Sequence, residues 1–321
     1  MKTKKIIALC IKPSLDISSR VLTVVSGPKL RCSAVLREPG GGGINVCRAV
    51  KELGGEALVF YPEGGISGRL LQSLLEKEGI ERVSVRIESM IPENFMVKEE
   101  SSGKLYRFNF PGAELSENEW KQYLEKICQI SPKPDYVVGS GGLPPGAPDD
   151  FYARAARATS ELGGRFILDT HGPALIEAAK EGVSLIKANM KEFQDLVQKK
   201  VENENQVIEF AREEIREKRC EALVISLGAS GAILVSERGT ERFCAPVVPI
   251  RSRVGAGDSM VAGIVMKLAQ NASLRNAVLF GTAAGSAAVM TPGTALCRRE
   301  DTERLYEQMK KTDRNFNRVG S

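Results

Sequence analysis

A chain of 321 residues, 42% apolar and 26% charged, can bury a sizeable core, so a chain disordered throughout is not the default reading. The net charge of +5, from 45 basic against 40 acidic residues with no Lys/Arg block, lacks the basic stripe of a nucleic-acid binder. Seven scattered cysteines (Cys10, Cys32, Cys47, Cys128, Cys220, Cys244, Cys297), none spaced C-x-x-C, predict free thiols in a reducing compartment and no structural zinc.

The chain opens on the basic Met1-Lys2-Thr3-Lys4-Lys5 and a first strand, Ile6–Ile11, too short for a signal-peptide core. No stretch reaches the length of a membrane span, so neither a membrane nor a nucleic acid is an expected partner, and a cytoplasmic location is expected. Lys29–Glu38 reads as a strand with many polar positions, followed by a helix over Ile44–Leu53, a strand over Ala57–Tyr61 and a helix over Gly68–Lys77. Asn94–Phe110 reads as a hairpin turning at Ser101-Ser102-Gly103. Helices over Glu117–Gln129, Asp150–Leu162 and Gln206–Lys218 then alternate with strands over Tyr136–Gly139, Arg165–Asp169, Ser184–Lys187 and Ala222–Ser226. Two apolar helices, Ser259–Ala269 and Leu274–Val289, follow. This alternation predicts an α/β fold: a parallel sheet with helices on both faces, in one domain over residues 1–321. The polar strand and the hairpin do not suit a buried parallel sheet. They predict a small accessory sheet, from about 17–38 and 92–111, serving as a lid or a dimer contact.

Two glycine-rich turns carry the candidate chemistry. Gly255-Ala256-Gly257-Asp258 runs straight into an apolar helix, where free backbone amides and the helix dipole favour an anion. Asp258 there could accept the proton of an attacking hydroxyl, or it could simply cap the helix. The turn is not a Walker A loop, since its lysine and glycine spacing are absent. Gly40-Gly41-Gly42-Gly43, followed by Asn45, also leads into a helix. Four glycines are costly in backbone entropy, so they suit amides laid against a polyol or phosphate better than a flexible connection.

Taken in order, Pro13-Ser14-Leu15-Asp16, the glycine run with Asn45, Lys187-Ala188-Asn189-Met190-Lys191-Glu192, Ser226-Leu227-Gly228-Ala229-Ser230-Gly231 and the Gly255–Asp258 turn resemble the ribokinase-like (PfkB) carbohydrate kinase family over nearly the whole chain. Within it, Lys29-Leu30-Arg31-Cys32, Tyr106-Arg107-Phe108 and Leu143-Pro144-Pro145-Gly146 are most similar to the minor bacterial 6-phosphofructokinases. Tagatose-6-phosphate kinases and 1-phosphofructokinases typically carry Lys where this chain has Gly42.

The resemblance implies a three-layer α/β/α domain with a β-sheet lid, and ATP-dependent phosphorylation of the C1 hydroxyl of fructose 6-phosphate. It implies Asp258 as general base and the amides of Gly255, Ala256 and Gly257 as an anion hole. Asp16, Asn45 and Gly40–Gly43 would hold the sugar, with Lys29 and Arg107 at its phosphate. Lys187, Asn189, Ser226, Gly228 and Gly231 would lie along ATP. Asn189 and Glu192 would position Mg²⁺, in part through water, while Ser252 and Val254 with the Val289–Gly293 turn would offer oxygens to K⁺. A homodimer through the lid sheet is expected.

Read singly, several of these residues keep simpler roles: Asp16 as a turn cap, Lys29 and Arg107 as solvated charges, Glu192 as a first-turn acid. His171, the only histidine, reads as a turn or surface residue. Pro92 stands where the similar phosphofructokinases carry a phosphate-binding Arg, with Arg86 a possible substitute, and Gly142 stands for a Ser. The departures bear on the sugar more than on the chemistry, so tagatose-6-phosphate kinase and 1-phosphofructokinase stay as alternatives. A catalytically silent sugar-phosphate sensor is the reading from another class.

Overall fold

The computed structural model describes residues 4–319; Met1–Thr3 of the basic start lie outside the described residues. The strands are β1 (Ile6–Leu9), β2 (Ser14–Val21), β3 (Leu36–Gly40), β4 (Leu58–Glu63), β5 (Glu81–Arg86), β6 (Glu93–Glu99), β7 (Leu105–Phe108), β8 (Tyr136–Ser140), β9 (Arg165–Asp169), β10 (Leu185–Asn189), β11 (Ala222–Ser226), β12 (Ala232–Ser236) and β13 (Gly239–Phe243). The helices are α1 (Gly42–Glu52), α2 (Gly65–Lys77), α3 (Glu117–Cys128), α4 (Phe151–Glu161), α5 (Pro173–Glu181), α6 (Met190–Val197), α7 (Glu204–Arg216), α8 (Ala256–Ala269), α9 (Leu274–Val289) and α10 (Arg299–Val319).

Nine strands form the main sheet, in the order β13-β12-β11-β10-β9-β8-β1-β4-β5. Strand β1 shows why the sheet is sandwiched. Along β1 and the two residues after it, Ile6, Ala8 and Cys10 enter one apolar cluster, while Ile7, Leu9 and Ile11 enter the other. A strand buried on both sides must be apolar throughout, as this one is. Residues of α1, α2, α8, α9 and α10 fill the first cluster, and those of α3–α7 fill the second. The three-layer α/β/α reading holds. One feature departs from the parallel expectation: β12 and β13 pair antiparallel at one edge, because the short turns after β11 and β12 leave no room for a crossover helix.

The chain lays β4 and β5 on one side of β1 and β8 onward on the other. The crevice above the carboxyl ends of β1 and β8 is therefore a topological switch point, where open α/β sheets bind ligands.

The accessory sheet is four-stranded, in the order β3-β2-β6-β7, with the expected hairpin as β6 and β7. The Lys29–Glu38 strand is a correction: only its end belongs to β3, and residues 29–35 carry no regular structure. Ser33 instead crosses the end of β2, donating its N–H to the Arg20 carbonyl and accepting at Oγ from the Arg20 N–H at 3.1 Å. A single crossing of this kind takes the place of a ladder.

Candidate active site

The crevice and the accessory sheet enclose a cleft of about 450 Å³. Asp258 and Gly255 line one wall, Gly41, Gly42 and Asn45 another, and Asp16, Asn94 and Arg107 come from the accessory sheet.

Asp258 does not cap its helix. Gly255 holds the N-cap position of α8 with φ +75°, a left-handed conformation that glycine adopts without a Cβ penalty, and no side chain caps the helix end. Asp258 sits in the first turn, where its Oδ2 accepts a hydrogen bond from Asn45 Nδ2 at 2.9 Å. Burial, then the charge of Asp169, push its carboxyl up to about 6, against the opposing pull of Asn45 and Lys187. Ser259 N is the first amide of the helix bonded within it, to the Gly255 carbonyl. The amides of Ala256, Gly257 and Asp258 thus have no acceptor in the helix, which leaves an N-terminus suited to an anion.

The glycine run divides into two pairs. Gly41 (φ +109°) and Gly42 line the cleft, whereas Gly40 and Gly43 are buried. A Cβ on Gly43 would lie 2.4 Å from the Leu9 carbonyl oxygen, and one on Gly42 would lie 2.5 Å from Ser140 Oγ. These glycines let α1 start against the ends of β1 and β8, so the run is as much a packing device as a ligand surface. Arg48 braces it, with its guanidinium bidentate on Glu78 at 2.7 and 2.9 Å and also donating to the Pro39 carbonyl.

Asp16 lies within β2, not at a turn. Its Oδ1 accepts from Ser14 Oγ at 2.8 Å and Asn94 Nδ2 at 3.2 Å, which fixes the carboxylate in the cleft wall. Lys12, Arg107 and Arg253 bring positive charge to the same cleft, and none forms an ion pair with a described residue. Lys12 and Arg253 were missed by sequence reasoning. Their signal was adjacency, since one directly precedes Pro13–Asp16 and the other lies two residues before Gly255. Pro92 also lines the cleft, its carbonyl accepting from Leu15 N at 2.9 Å. Neither Arg86, at the end of β5, nor Lys29, exposed in the irregular stretch, lines it.

Lys187 ends its reach at Asp169, in a buried ion pair of 2.9 Å. Burial pulls the ammonium down, but Asp169 and Glu192 outweigh it and the net direction is up. The same ammonium packs on α8, where a Cβ on Gly257 would lie 2.9 Å from Nζ. A second cleft of about 640 Å³ is lined by Asn189, Ser226 and Gly228 among others. Gly231 does not line it; its φ of +96° turns the chain between β11 and β12. Asn189 and Glu192 form a capping box on α6: Asn189 Oδ1 accepts from Glu192 N at 3.0 Å, and Glu192 Oε2 accepts from Asn189 N at 2.7 Å. Burial raises the Glu192 carboxyl, with Asn189 N and Lys187 opposing. Ser252 is tied to the 289–293 turn, its N–H on the Val289 carbonyl and its Oγ donating to the Gly293 carbonyl at 2.6 Å.

The family model for pfkB family carbohydrate kinases matches residues 12–301, a span that holds both clefts. The chain belongs to the pfkB family. Within the family, it is 40% identical over 303 residues to the ATP-dependent 6-phosphofructokinase isozyme 2 of Escherichia coli, covering 94% of this chain and 98% of that one. The 1-phosphofructokinase of Bacillus subtilis is more distant, at 28% identity over 95% of this chain and 97% of its own. The solved phosphofructokinase-2 of Escherichia coli in complex with potassium superposes with a TM-score of 0.92 at 39% identity, covering 96% of this chain and 99% of that one. The pfkB chain is therefore an ATP-dependent sugar kinase in fold and family, with one cleft at the start of α8 and a second at the ends of β10 and β11.

Proposed function

We propose that this kinase transfers the γ-phosphoryl group of ATP to the C1 hydroxyl of fructose 6-phosphate, giving fructose 1,6-bisphosphate and ADP. The observation that carries this reading is the half-buried Asp258, oriented by Asn45 beside free helix amides, in a cleft edged by three unpaired cations. Asp258 takes the hydroxyl proton while the C1 oxygen bonds to the γ-phosphorus and the bond to the β-phosphate bridge oxygen breaks. The amides of Gly255, Ala256 and Gly257 steady the charge on the transferring group. Asp16, Asn45 and the Gly41–Gly42 backbone hold sugar hydroxyls, with Gly40 and Gly43 shaping that backbone from behind. Arg107, Lys12 and Arg253 neutralise the phosphate in place of an arginine at Pro92.

ATP lies along Asn189, Ser226 and Gly228, with Lys187 toward its phosphates and Gly231 setting the turn. No group of three or more His, Cys, Asp or Glu among the described residues could hold a metal alone, which suits Mg²⁺ carried by nucleotide phosphates and water. Asn189 Oδ1 is occupied as a cap, so Glu192 is the better water-mediated partner of that ion. Bound Mg²⁺ would supply charge neutralisation on the phosphates. Ser252, Val254 and the 289–293 turn offer backbone and hydroxyl oxygens fit for K⁺.

The accessory sheet exposes Phe95 and Phe108, paired across β6 and β7 on one face, an apolar pair that a second copy of the chain would cover as a homodimer. Lys29 does not line the cleft, so Arg107, Lys12 and Arg253 carry the phosphate contact without it.

The acceptor is tested by kcat/KM for fructose 6-phosphate, tagatose 6-phosphate and fructose with ATP. Fructose 6-phosphate should lead. A larger value for tagatose 6-phosphate would move the assignment to that sugar.

A further inference from the structure

We propose that His171 contacts the phosphoryl acceptor, from a position that Gly142 opens for it; this rests on the kinase reading above. His171 and Gly142 line the same cleft as Asp258, Asn45 and Asp16. The imidazole lies over the glycine: a Cβ at position 142 would stand 2.8 Å from His171 Cε1 and 3.1 Å from Nε2. A side chain at 142 and this ring position exclude one another.

The two loops that carry Gly142 and His171 are clamped together. Gly141 N donates to the Asp169 carbonyl at 3.0 Å, and Thr170 Oγ1 donates to the Gly141 carbonyl at 2.8 Å. The Tyr152 hydroxyl donates to the same carbonyl at 2.9 Å. The loop after β8, carrying Gly142, is thereby clamped to the loop after β9, carrying His171.

No structural role accounts for the ring. Gly172, not His171, is the N-cap of α5, and no side chain caps that helix. Neither ring nitrogen hydrogen-bonds to another described residue, and the side chain is exposed to the cleft. An imidazole offers both a donor and an acceptor in its neutral form. On the wall where Gly142 has no side chain, His171 supplies the polar contact to an acceptor oxygen. The charged groups sharing the cleft are Lys12, Asp16, Arg107, Arg253 and Asp258, with Glu192 felt through space.

The test uses the sole histidine as its own reporter. The His171 Cε1–H proton resonance is followed in the wild type during titration with fructose 6-phosphate, without ATP, and should shift as the sugar saturates. In steady state, His171→Ala should raise the acceptor KM about tenfold, as loss of one hydrogen bond does, and leave the ATP KM unchanged. Gly142→Ser should raise the acceptor KM by displacing the ring, and adding it to His171→Ala should raise the KM no further, whereas full additivity would show that position 142 does not act through the ring. Wild-type turnover in the same assay separates the two readings: if tagatose 6-phosphate proves the acceptor, the fructose 6-phosphate assignment falls and the titration is read on tagatose 6-phosphate. An unmoved resonance at saturating acceptor, or a His171→Ala acceptor KM within about twofold of wild type, overturns the role of His171 and leaves the kinase reading standing.

Discussion

Asn45 and Asp258 are 213 residues apart in the chain, yet the Asn45 amide donates to the Asp258 carboxylate at 2.9 Å. This contact joins the two glycine-rich turns into one site. It also stabilises the ionised carboxylate that burial otherwise disfavours.

Removing the amide should therefore raise the Asp258 pKa further. The base is inactive when protonated, so wild-type kcat/KM should rise with pH through about 6. In Asn45→Ala that limb should move to higher pH. A pH–rate profile checks it, and an unmoved limb would show that Asn45 does not tune the base.

Asp258 should also cost the fold stability. Its folded pKa of about 6 lies above the unfolded value of 3.8, so the penalty is fully present above pH 6 and disappears as pH falls toward 4. Asp258→Asn should be more stable at pH 8 by on the order of 1 kcal/mol, with the gap closing in acid. Thermal melts of both proteins from pH 8 to 4 measure this. A gap that widens in acid would contradict it.

The buried Lys187–Asp169 pair predicts a sharp asymmetry between breaking it and removing it. Asp169→Ala leaves a buried ammonium unpaired and should cost about 3 kcal/mol. Adding Lys187→Met to that variant should recover part of the loss, because the unpaired buried ammonium is then gone. Urea denaturation of the single and double variants reads the coupling, and simple additivity would refute it.

Gly43 faces strand backbone rather than ligand. Gly43→Ala should lose about 2 kcal/mol of stability or more, since two stretches of backbone must separate to admit the methyl group. A variant with a wild-type melting temperature and only a raised sugar KM would instead place Gly43 at the ligand.

Much of this was legible in the sequence, for a local reason. The strands over Arg165–Asp169 and Ala222–Ser226 and the helix over Leu274–Val289 lie where their apolar periodicity predicts, because each is an amphipathic or fully buried unit. The antiparallel β12–β13 edge was not legible, because a short apolar run does not announce the direction of its partner. In the site, Asp258, Asn45 and Asp16 converge as expected, since rigid strand and helix ends place them. Gly40 is buried against the Asp16 and Ser14 side chains and Gly43 against the backbone of β1, a difference from a ligand-facing glycine that sequence does not show. His171 and Arg253 entered the cleft unforeseen, through loops whose course depends on long-range clamps such as Thr170 to Gly141.

The exposed Phe95–Phe108 pair of the accessory sheet predicts association. Light scattering should give the mass of a dimer, and Phe108→Glu should shift it toward the monomer. A strict monomer at micromolar concentration would remove the interface.

The central claim is that Asp258 deprotonates the sugar hydroxyl, and one comparison tests it most directly. ATP-dependent formation of fructose 1,6-bisphosphate is measured for the wild type and Asp258→Asn at saturating substrates, with nucleotide binding measured alongside. In Asp258→Asn, kcat should fall by roughly 10² or more with nucleotide affinity preserved, because the base is lost while the helix amides remain. Turnover within a few-fold of wild type would contradict it.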